Sequence, residues 1–284
     1  MVHASLSSLG WVVGGAQTVV EAVLDATGPR GTVCAQVSWE DVPFGLRSWP
    51  ASWRAAYRSS FPGFDASLSA AAHYEGRLAE RIRTWPGAHR SANPVAGVAA
   101  VGARAAWLTC PHPLDDGFGP RSPYARLAAG AGQVLLLGAP LRAISLLHHA
   151  ESVAAVPAQW TTLDLPFRHG PSTRWRSIRE LDVWNGPLPY AEVLPADVAP
   201  FQAIASSALE AGIGRRGPMG DGTAHRFPAR ELVAFAIRWL EARFPETAKA
   251  PRRGSPAAPQ GSGEGRRGAA GRRSEGRRTA ARGR

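Results

Sequence analysis

The sequence predicts a layered α/β fold, a mixed β-sheet flanked by helices, over residues 1–246, and a basic tail over residues 247–284. Three observations carry that expectation. Extended and helical patterns alternate along the body, the order expected when helices cover a sheet. The run Gln133 to Gly138 (QVLLLG) is continuously apolar, as a strand buried on both faces requires. Two segments carry apolar stripes at helical spacing: Val19, Val20, Val23 and Leu24 in one, and Leu232, Phe235, Ala236, Trp239 and Leu240 in the other.

Taken in order, VHASL reads as the end of a buried strand with only Met1 ahead of it. So short a strand at a chain start is unusual. Either the chain begins downstream of its natural start, or the first strand is cut. Gly14-Gly15 open a helix over Ala16 to Thr27, and Gly28-Pro29 end it. Gly31 to Val37 is a strand, and a Trp- and Pro-rich loop runs from Ser38 to about Ser52. Ser69 to Thr84 is expected to be helical, Gly97 to Gly102 a strand, and Ala103 to Thr109 a short helix. Pro111 to Pro120 is loop by composition. Ile144 to Ala155 is a helix stopped by Pro157. Strands follow around Trp160 to Pro166 and Thr173 to Asp182, then helices over Ala199 to Ala211 and Pro228 to Phe244.

The formal charge is +11. Residues 248–284 hold Lys249 and ten Arg against Glu264 and Glu275, a net of +9, which leaves +2 for residues 1–247. The basicity that would suggest a polyanionic partner therefore belongs to the tail. With no aromatic residue and no apolar face, that tail is expected to be disordered. No apolar run approaches the roughly 18–20 residues of a membrane span, and the N-terminus lacks the pattern of a signal peptide. Cys34 and Cys110 lie 76 positions apart, neither a disulfide framework nor a zinc spacing. A reducing cytoplasm is the expected location.

Few motifs carry chemistry. Gly212-x-Gly214-x-x-Gly217 follows a helix and does not open one, so it reads as a helix stop and not as a nucleotide site. The Gln/Arg-x-x-Gly-x-Gly pattern of one large acyltransferase superfamily occurs only at Gln260 to Gly265, in the tail, which argues against that fold. His148 and Glu151 lie three apart on a helix and share a face. A carboxylate there can fix an imidazole tautomer, as a general base needs, although a surface pair has the same pattern. His149 points away from that face. Glu40-Asp41, Asp115-Asp116, Glu180-x-Asp182 and Asp65 are acidic candidates, or solvated surface charge. Ser5 to Gly10 forms a turn whose N–H and hydroxyl groups suit phosphate or a carbonyl. No set of residues has a metal-site spacing.

These pieces fall in a recognisable order. The stretches 2–33, the Ser38-Trp39 loop, 83–102 (RTWPGAHRSANPVAGVAAVG), 112–127 (HPLDDGFGPRSPYARL), 132–140 (GQVLLLGAP) and 145–153 (SLLHHAESV) resemble the aminoglycoside N(3)-acetyltransferases. The likeness covers residues 2–244 and is densest in the first 160. It implies the antibiotic N-acetyltransferase fold, and acetyl transfer from acetyl-CoA to the 3-amino group of a 2-deoxystreptamine antibiotic, conferring resistance. It implies no metal and no membrane partner. Nucleic acid enters only through the tail, and either a monomer or a homodimer is compatible.

By the same resemblance His148 is the catalytic base and Glu151 its orienting carboxylate. Ser5, Leu6, Ser7 and Ser8 contact the pantetheine arm and acetyl group, with Ser122 nearby, and His3 lies close to the site. Asp65, Glu180 and Asp182 are expected to hold substrate ammonium groups, with Glu40, Asp41 and Asp116 as weaker candidates. Two positions depart from the family pattern: Asn93 stands where a histidine is usual, and Arg121 adds charge beside the expected coenzyme site or meets one of its phosphates. Alternatives are an acetyltransferase of the same scaffold acting on another amine, or an inactive homologue with a nucleic-acid-binding tail.

Overall fold

A parallel pair of strands, extended by an antiparallel hairpin, anchors the computed structural model, which describes residues 1–245. The expected tail disorder falls outside those residues. The chain opens with β1 (Val2–Ala4), a 3-10 turn (Leu6–Leu9), α1 (Gly15–Thr27) and β2 (Thr32–Gln36). Then come α2 (Ala51–Ser60), α3 (Gly76–Arg83), β3 (His89–Arg90), β4 (Val98–Gly102), α4 (Ala105–Thr109) and α5 (Pro123–Ala129). β5 (Gln133–Leu137), α6 (Leu147–Val153), β6 (Trp160–His169) and β7 (Ser172–Leu181) follow, and α7 (Pro200–Glu210), β8 (Arg215–Met219), β9 (Gly222–Pro228) and α8 (Ala229–Arg243) complete the described chain.

The strands form three sheets. The first has the order β1-β5-β9-β8. Here β1 runs parallel to β5, with Val2 opposite Leu135 and Ala4 opposite Leu137, and the other pairings are antiparallel. β5 is covered on both faces, which explains its apolar run: Val134 and Leu136 enter the main core, while Leu135 and Leu137 pack with the cluster under α1 and α3. The main core gathers there, where Ile144, Leu147, Ile204, Leu232 and Leu240 from the flanking helices and turns pack. The second sheet, β2-β4-β3, is antiparallel and pairs Cys34 with Ala100. Small residues on β4 let α1 and α3 cover it through Val20, Leu78 and Ile82. The third is the β6–β7 hairpin, whose middle packs on Trp39 and Phe64 through Leu165 and Ile178.

The layered α/β class holds, with physical differences in detail. The alternating pattern suggested repeated strand–helix–strand units, yet β1–β5 is the only parallel pair among the described strands. The helix expected from Ser69 begins only at Gly76. Before it, Ala72 N donates to Ser38 O at 2.7 Å and Ala71 N to the Glu80 carboxylate at 3.0 Å, so this backbone is committed elsewhere. α2 buries no side chain, so it has no core stripe to read. The Gly212 stop turns the chain into the β8–β9 hairpin, where β8 is mostly exposed and again lacks an alternating pattern.

Leu136 faces the densest part of the core. Leu136→Ala is expected to lower stability by about 2–5 kcal/mol, read by urea denaturation. A loss under about 1 kcal/mol would show that the site collapses around the missing atoms.

Candidate active site

Parallel strands leave a sheet at the same edge. After β1 comes the Leu6–Leu9 turn, and after β5 comes the segment leading into α6. Both line one cavity of about 940 Å³, together with the start of α1, the turn before α3, and Phe201 of α7. Ser5 N donates to Leu137 O at 3.0 Å, which fixes the turn against the end of β5. Gly138 has φ +67, and a Cβ there would lie 2.9 Å from Ser5 O, so glycine permits the close approach.

His148 and Glu151 share a face of α6 as their spacing requires. His148 Nδ1 lies 2.7 Å from Glu151 Oε2, and the second oxygen of Glu151 accepts from the Tyr190 hydroxyl. Glu151 is only 1% exposed, so two donors satisfy a carboxylate removed from water. A carboxylate accepts and does not donate, so Nδ1 carries the hydrogen, and Nε2 is the ring nitrogen left for a ligand. His148 lines the cavity, and its ring sits between Phe118 and Phe201, with centroids 4.9 and 4.6 Å away. Burial first, then Glu151, pushes the Tyr190 phenol well above its ordinary range, which keeps it a donor. The adjacent His149 is buried and donates from Nδ1 to Phe118 O at 2.6 Å, a structural bond.

The other expected residues divide. Ser5, Leu6 and Ser7 line the cavity. Ser8 is exposed and meets Ser5 hydroxyl to hydroxyl at 2.8 Å, but is not a lining residue. Ser122 is fully buried and caps α5, accepting from Ala125 N at 3.2 Å. His3 lines the cavity; its Nε2 is buried without a partner. Burial, aided by the amino terminus, pushes its pKa down to about 3, so the ring stays neutral. Arg121 is held by Asp116 at 2.9 Å and Asp115 at 3.4 Å, and does not line the cavity. Asn93 accepts from Val95 N and Ala96 N, both at 2.9 Å, a turn-forming role that its amide oxygen suits.

Among the acidic candidates, Asp65 caps its own turn, accepting from Ser67 N and Oγ, and stands away from the cavity wall. Glu180 is 1% exposed beside Asp116 and Asn93 and is not a lining residue of the cavity. Asp182 accepts from Asn185 and opens on a smaller recess of about 350 Å³ shared with Trp184. Glu40 is taken by His73, at 2.9 Å from its Nδ1. Sequence reading passed over Glu75. This carboxylate lines the main cavity, accepts from Gln36 at 2.9 Å, and has His148 as a charge neighbour. Burial raises its carboxyl, while Ser38, Gln36 and His148 pull the other way. It sat unread inside a segment taken as helix, where its spacing from the histidine pair carries no signal.

Among the described residues no group of three or more His, Cys, Asp or Glu is placed to hold a metal ion. The cavity brings together an imidazole held by a buried carboxylate, a second carboxylate and the helical turn after β1. Such groups can take a proton from an amine and stabilise a developing oxyanion.

Comparison with known proteins agrees with that chemistry. The family model described as aminoglycoside 3-N-acetyltransferase matches residues 1–241. Aminoglycoside N(3)-acetyltransferase VIII of Streptomyces fradiae is 45% identical over 246 residues, 86% of this chain and 86% of that protein. Among solved structures, aminoglycoside acetyltransferase AAC(3)-Xa superposes with TM-score 0.84 at 43% identity, covering 86% of each chain. AAC-IIIb in a binary complex with CoASH gives 0.78 at 38%, covering 88% of this chain and 91% of that one. AAC-VIa bound to sisomicin gives 0.78 at 37%, covering 86% and 91%.

Burial raises the Glu180 carboxyl to about 7, with Asp116 and Asp115 adding to the rise. A carboxyl raised above its ordinary value of 4.5 holds its proton more tightly when folded. The stability this contributes is present at low pH and is lost as pH climbs from about 4.5 through about 7. Glu180→Gln keeps the acceptor for Leu181 N and cannot ionise. Urea denaturation is expected to give equal stabilities near pH 4 and a variant more stable by on the order of 3 kcal/mol at pH 8. Parallel pH profiles for the two proteins would contradict the raised carboxyl.

Proposed function

The chain belongs to the aminoglycoside 3-N-acetyltransferase family, and on that premise we propose that it moves the acetyl group of acetyl-CoA to the 3-amino group of a 2-deoxystreptamine antibiotic. The observation that carries the reading is the His148–Glu151–Tyr190 relay opening on a cavity that also holds Glu75. An amine attacks a thioester only when neutral. The ammonium first loses one proton to solvent, and as the neutral amine attacks, His148 Nε2 takes a second from the same nitrogen, directly or through water, while Glu151 holds the ring and balances its charge. The nitrogen lone pair forms the new C–N bond, and the carbonyl oxygen gathers negative charge. The opening N–H groups of the Leu6–Leu9 turn have no partner within that turn and are placed to receive it. The C–S bond then breaks, and His148 returns its proton to the departing thiolate.

In this reading Ser5, Leu6 and Ser7 flank the pantetheine arm, Ser8 steadies Ser5, and Ser122 supports the wall from behind. Glu75 holds a substrate ammonium next to the reacting amine, with a charge-assisted hydrogen bond. Asp182 takes a more distant ammonium from the neighbouring recess, which Trp184 joins to the main cavity through Tyr74, their centroids 6.0 Å apart. Asp65 and Glu180 act indirectly, by shaping the loop and strand behind these contacts. Such a reaction confers resistance in the cytoplasm, where acetyl-CoA is available. No helix among the described residues is long and apolar enough to cross a membrane.

The direct test is acetyl-CoA turnover against a panel of 2-deoxystreptamine antibiotics, with mass spectrometry to place the acetyl group. Acetylation at another nitrogen would overturn the regiochemistry. His148→Ala is expected to lower kcat by 10²- to 10⁴-fold while circular dichroism stays native, because the ring lies at a cavity wall. An undiminished kcat removes His148 from the role. Glu75→Gln is expected to raise KM for the antibiotic about tenfold and leave KM for acetyl-CoA in place, read by steady-state kinetics.

A further inference from the structure

We propose that His149 is a positioning residue for the proton-taking step: by holding the Phe118 carbonyl it keeps the Phe118 ring against His148, and so sets where His148 Nε2 points. This rests on the reading of His148 as the base. His149 follows His148 on α6, about 100° further around the helix, and is buried. It is not a lining residue of the cavity, so its effect on the reaction passes through a neighbour.

Phe118 stands in a run that holds its own shape poorly. It lies between Gly117 and Gly119, and glycine constrains a backbone least. Close packing requires both glycines: a Cβ on Gly117 would strike the Glu180 carboxyl, and one on Gly119 the Asp116 carboxyl. The freedom is removed from outside the run. His149 Nδ1 donates to Phe118 O at 2.6 Å, and His112 Nε2 donates to Gly117 O at 2.9 Å. Two successive carbonyls thus end on two buried imidazoles. Ser91 Oγ accepts from Val98 N at 2.9 Å, which leaves its hydroxyl to donate to His112 Nδ1, also at 2.9 Å. That places the His112 hydrogen on Nε2. Burial lowers the pKa of both rings, that of His112 to about 4, so each is neutral and spends its single N–H on the run.

What the run carries is one stop for the base. The buried Phe118 ring has its centroid 4.9 Å from that of His148 and 4.9 Å from that of Tyr124. Phe201 stands against the same imidazole at 4.6 Å. The bond from Nδ1 to Glu151, 2.7 Å long, fixes one atom of the His148 ring and leaves a swing about that contact. The two phenyl rings remove the swing. His148 and His149 ride on one short helix, so a shift of α6 moves the base and the donor that sets its stop together. Misplacing a reacting group by about 1 Å costs up to about 10²-fold in rate, so this restraint bears on turnover.

Steady-state kinetics of His149→Leu, His149→Asn and Phe118→Leu test the proposal, with rates referred to folded enzyme measured by circular dichroism. Leucine fills the space without a donor, whereas the asparagine amide nitrogen stands where Nδ1 stands. His149→Leu is expected to lower kcat by about 10- to 10²-fold and leave both KM values in place. His149→Asn restores most of that loss. Phe118→Leu gives a similar loss, and the double variant loses no more than the larger single one, because both changes act on one contact. Losses that multiply, or an undiminished kcat in His149→Leu, overturn the proposal. NMR relaxation at the His148 ring carbons reads the swing without any reaction. The ring is expected to be rigid in wild type and mobile in both His149→Leu and Phe118→Leu. Unchanged relaxation in Phe118→Leu overturns the proposal even where His149→Leu does not fold. A wild type that acetylates no aminoglycoside, with a ring that loosens in these variants, keeps the positioning role and loses the functional reading.

Discussion

Two strands that run the same way deliver whatever follows them to the same edge of a sheet, and the site depends on that constraint. β1 and β5 are far apart in sequence, yet their three-residue register brings the Ser5–Leu9 turn beside the segment that becomes α6. Parallel neighbours cannot be joined by a tight turn. The chain between them is free to build the second sheet, α1 and α3, and these return to wall the cavity from the opposite side. A slip of one residue in the register would turn His3 and Val2 to the opposite faces. The buried Val2 would leave the core under α1, and His3 would leave the cavity.

The second constraint is electrostatic. A carboxylate at 1% exposure costs several kcal/mol unless each oxygen finds a donor. Glu151 finds two, and they come from unrelated places: one turn back on its own helix, and Tyr190 in the long connection after β7. The partners orient one another. Tyr190 holds one oxygen, which leaves the other for the imidazole, and the imidazole is then left with a single free nitrogen. Phe118 and Phe201 narrow the ring's range further by contact. The result is an imidazole held through Nδ1 and aimed in one direction before any ligand arrives, the preorganisation that the proposed amine attack on a thioester needs.

How far the sequence disclosed this depended on whether burial left a pattern. α1 and α8 each lay one face on a core and β5 lies between two, and their apolar patterns announced them within a residue or two. The His148–Glu151 pair was legible for a similar reason, since helical geometry alone sets residues three apart on one face. α2 buries nothing and β8 is nearly all exposed, so neither imposed a pattern. α5 did leave a signal, Ser122 as cap followed by Pro123 in the first turn, but no long stripe accompanied it. The carboxylates were the hardest to read. Asp65, Glu180 and Glu75 are alike as acids, and only tertiary placement separates a turn cap, a carboxyl buried away from the cavity lining and a carboxylate on it.

Charge at the cavity shows why net charge misleads in both directions. The whole chain is +11, and most of that lies in residues 248–284. The proposed reaction needs opposite signs within one cavity: its donor is a polyanion and its acceptor a polycation. The wall supplies both, with Arg77 and Arg142 unpaired and Glu75 recessed near His148. At physiological ionic strength charges are screened over about 8 Å, so neighbouring fields of opposite sign do not simply cancel. Each steers its own ligand over a short range. Elsewhere, arginines over carboxylates are neutralised locally: Arg47 and Arg58 close on Asp164, and Arg121 on Asp115 and Asp116. At the cavity, by contrast, Arg77 and Arg142 stay open to a ligand where the two parallel strands end.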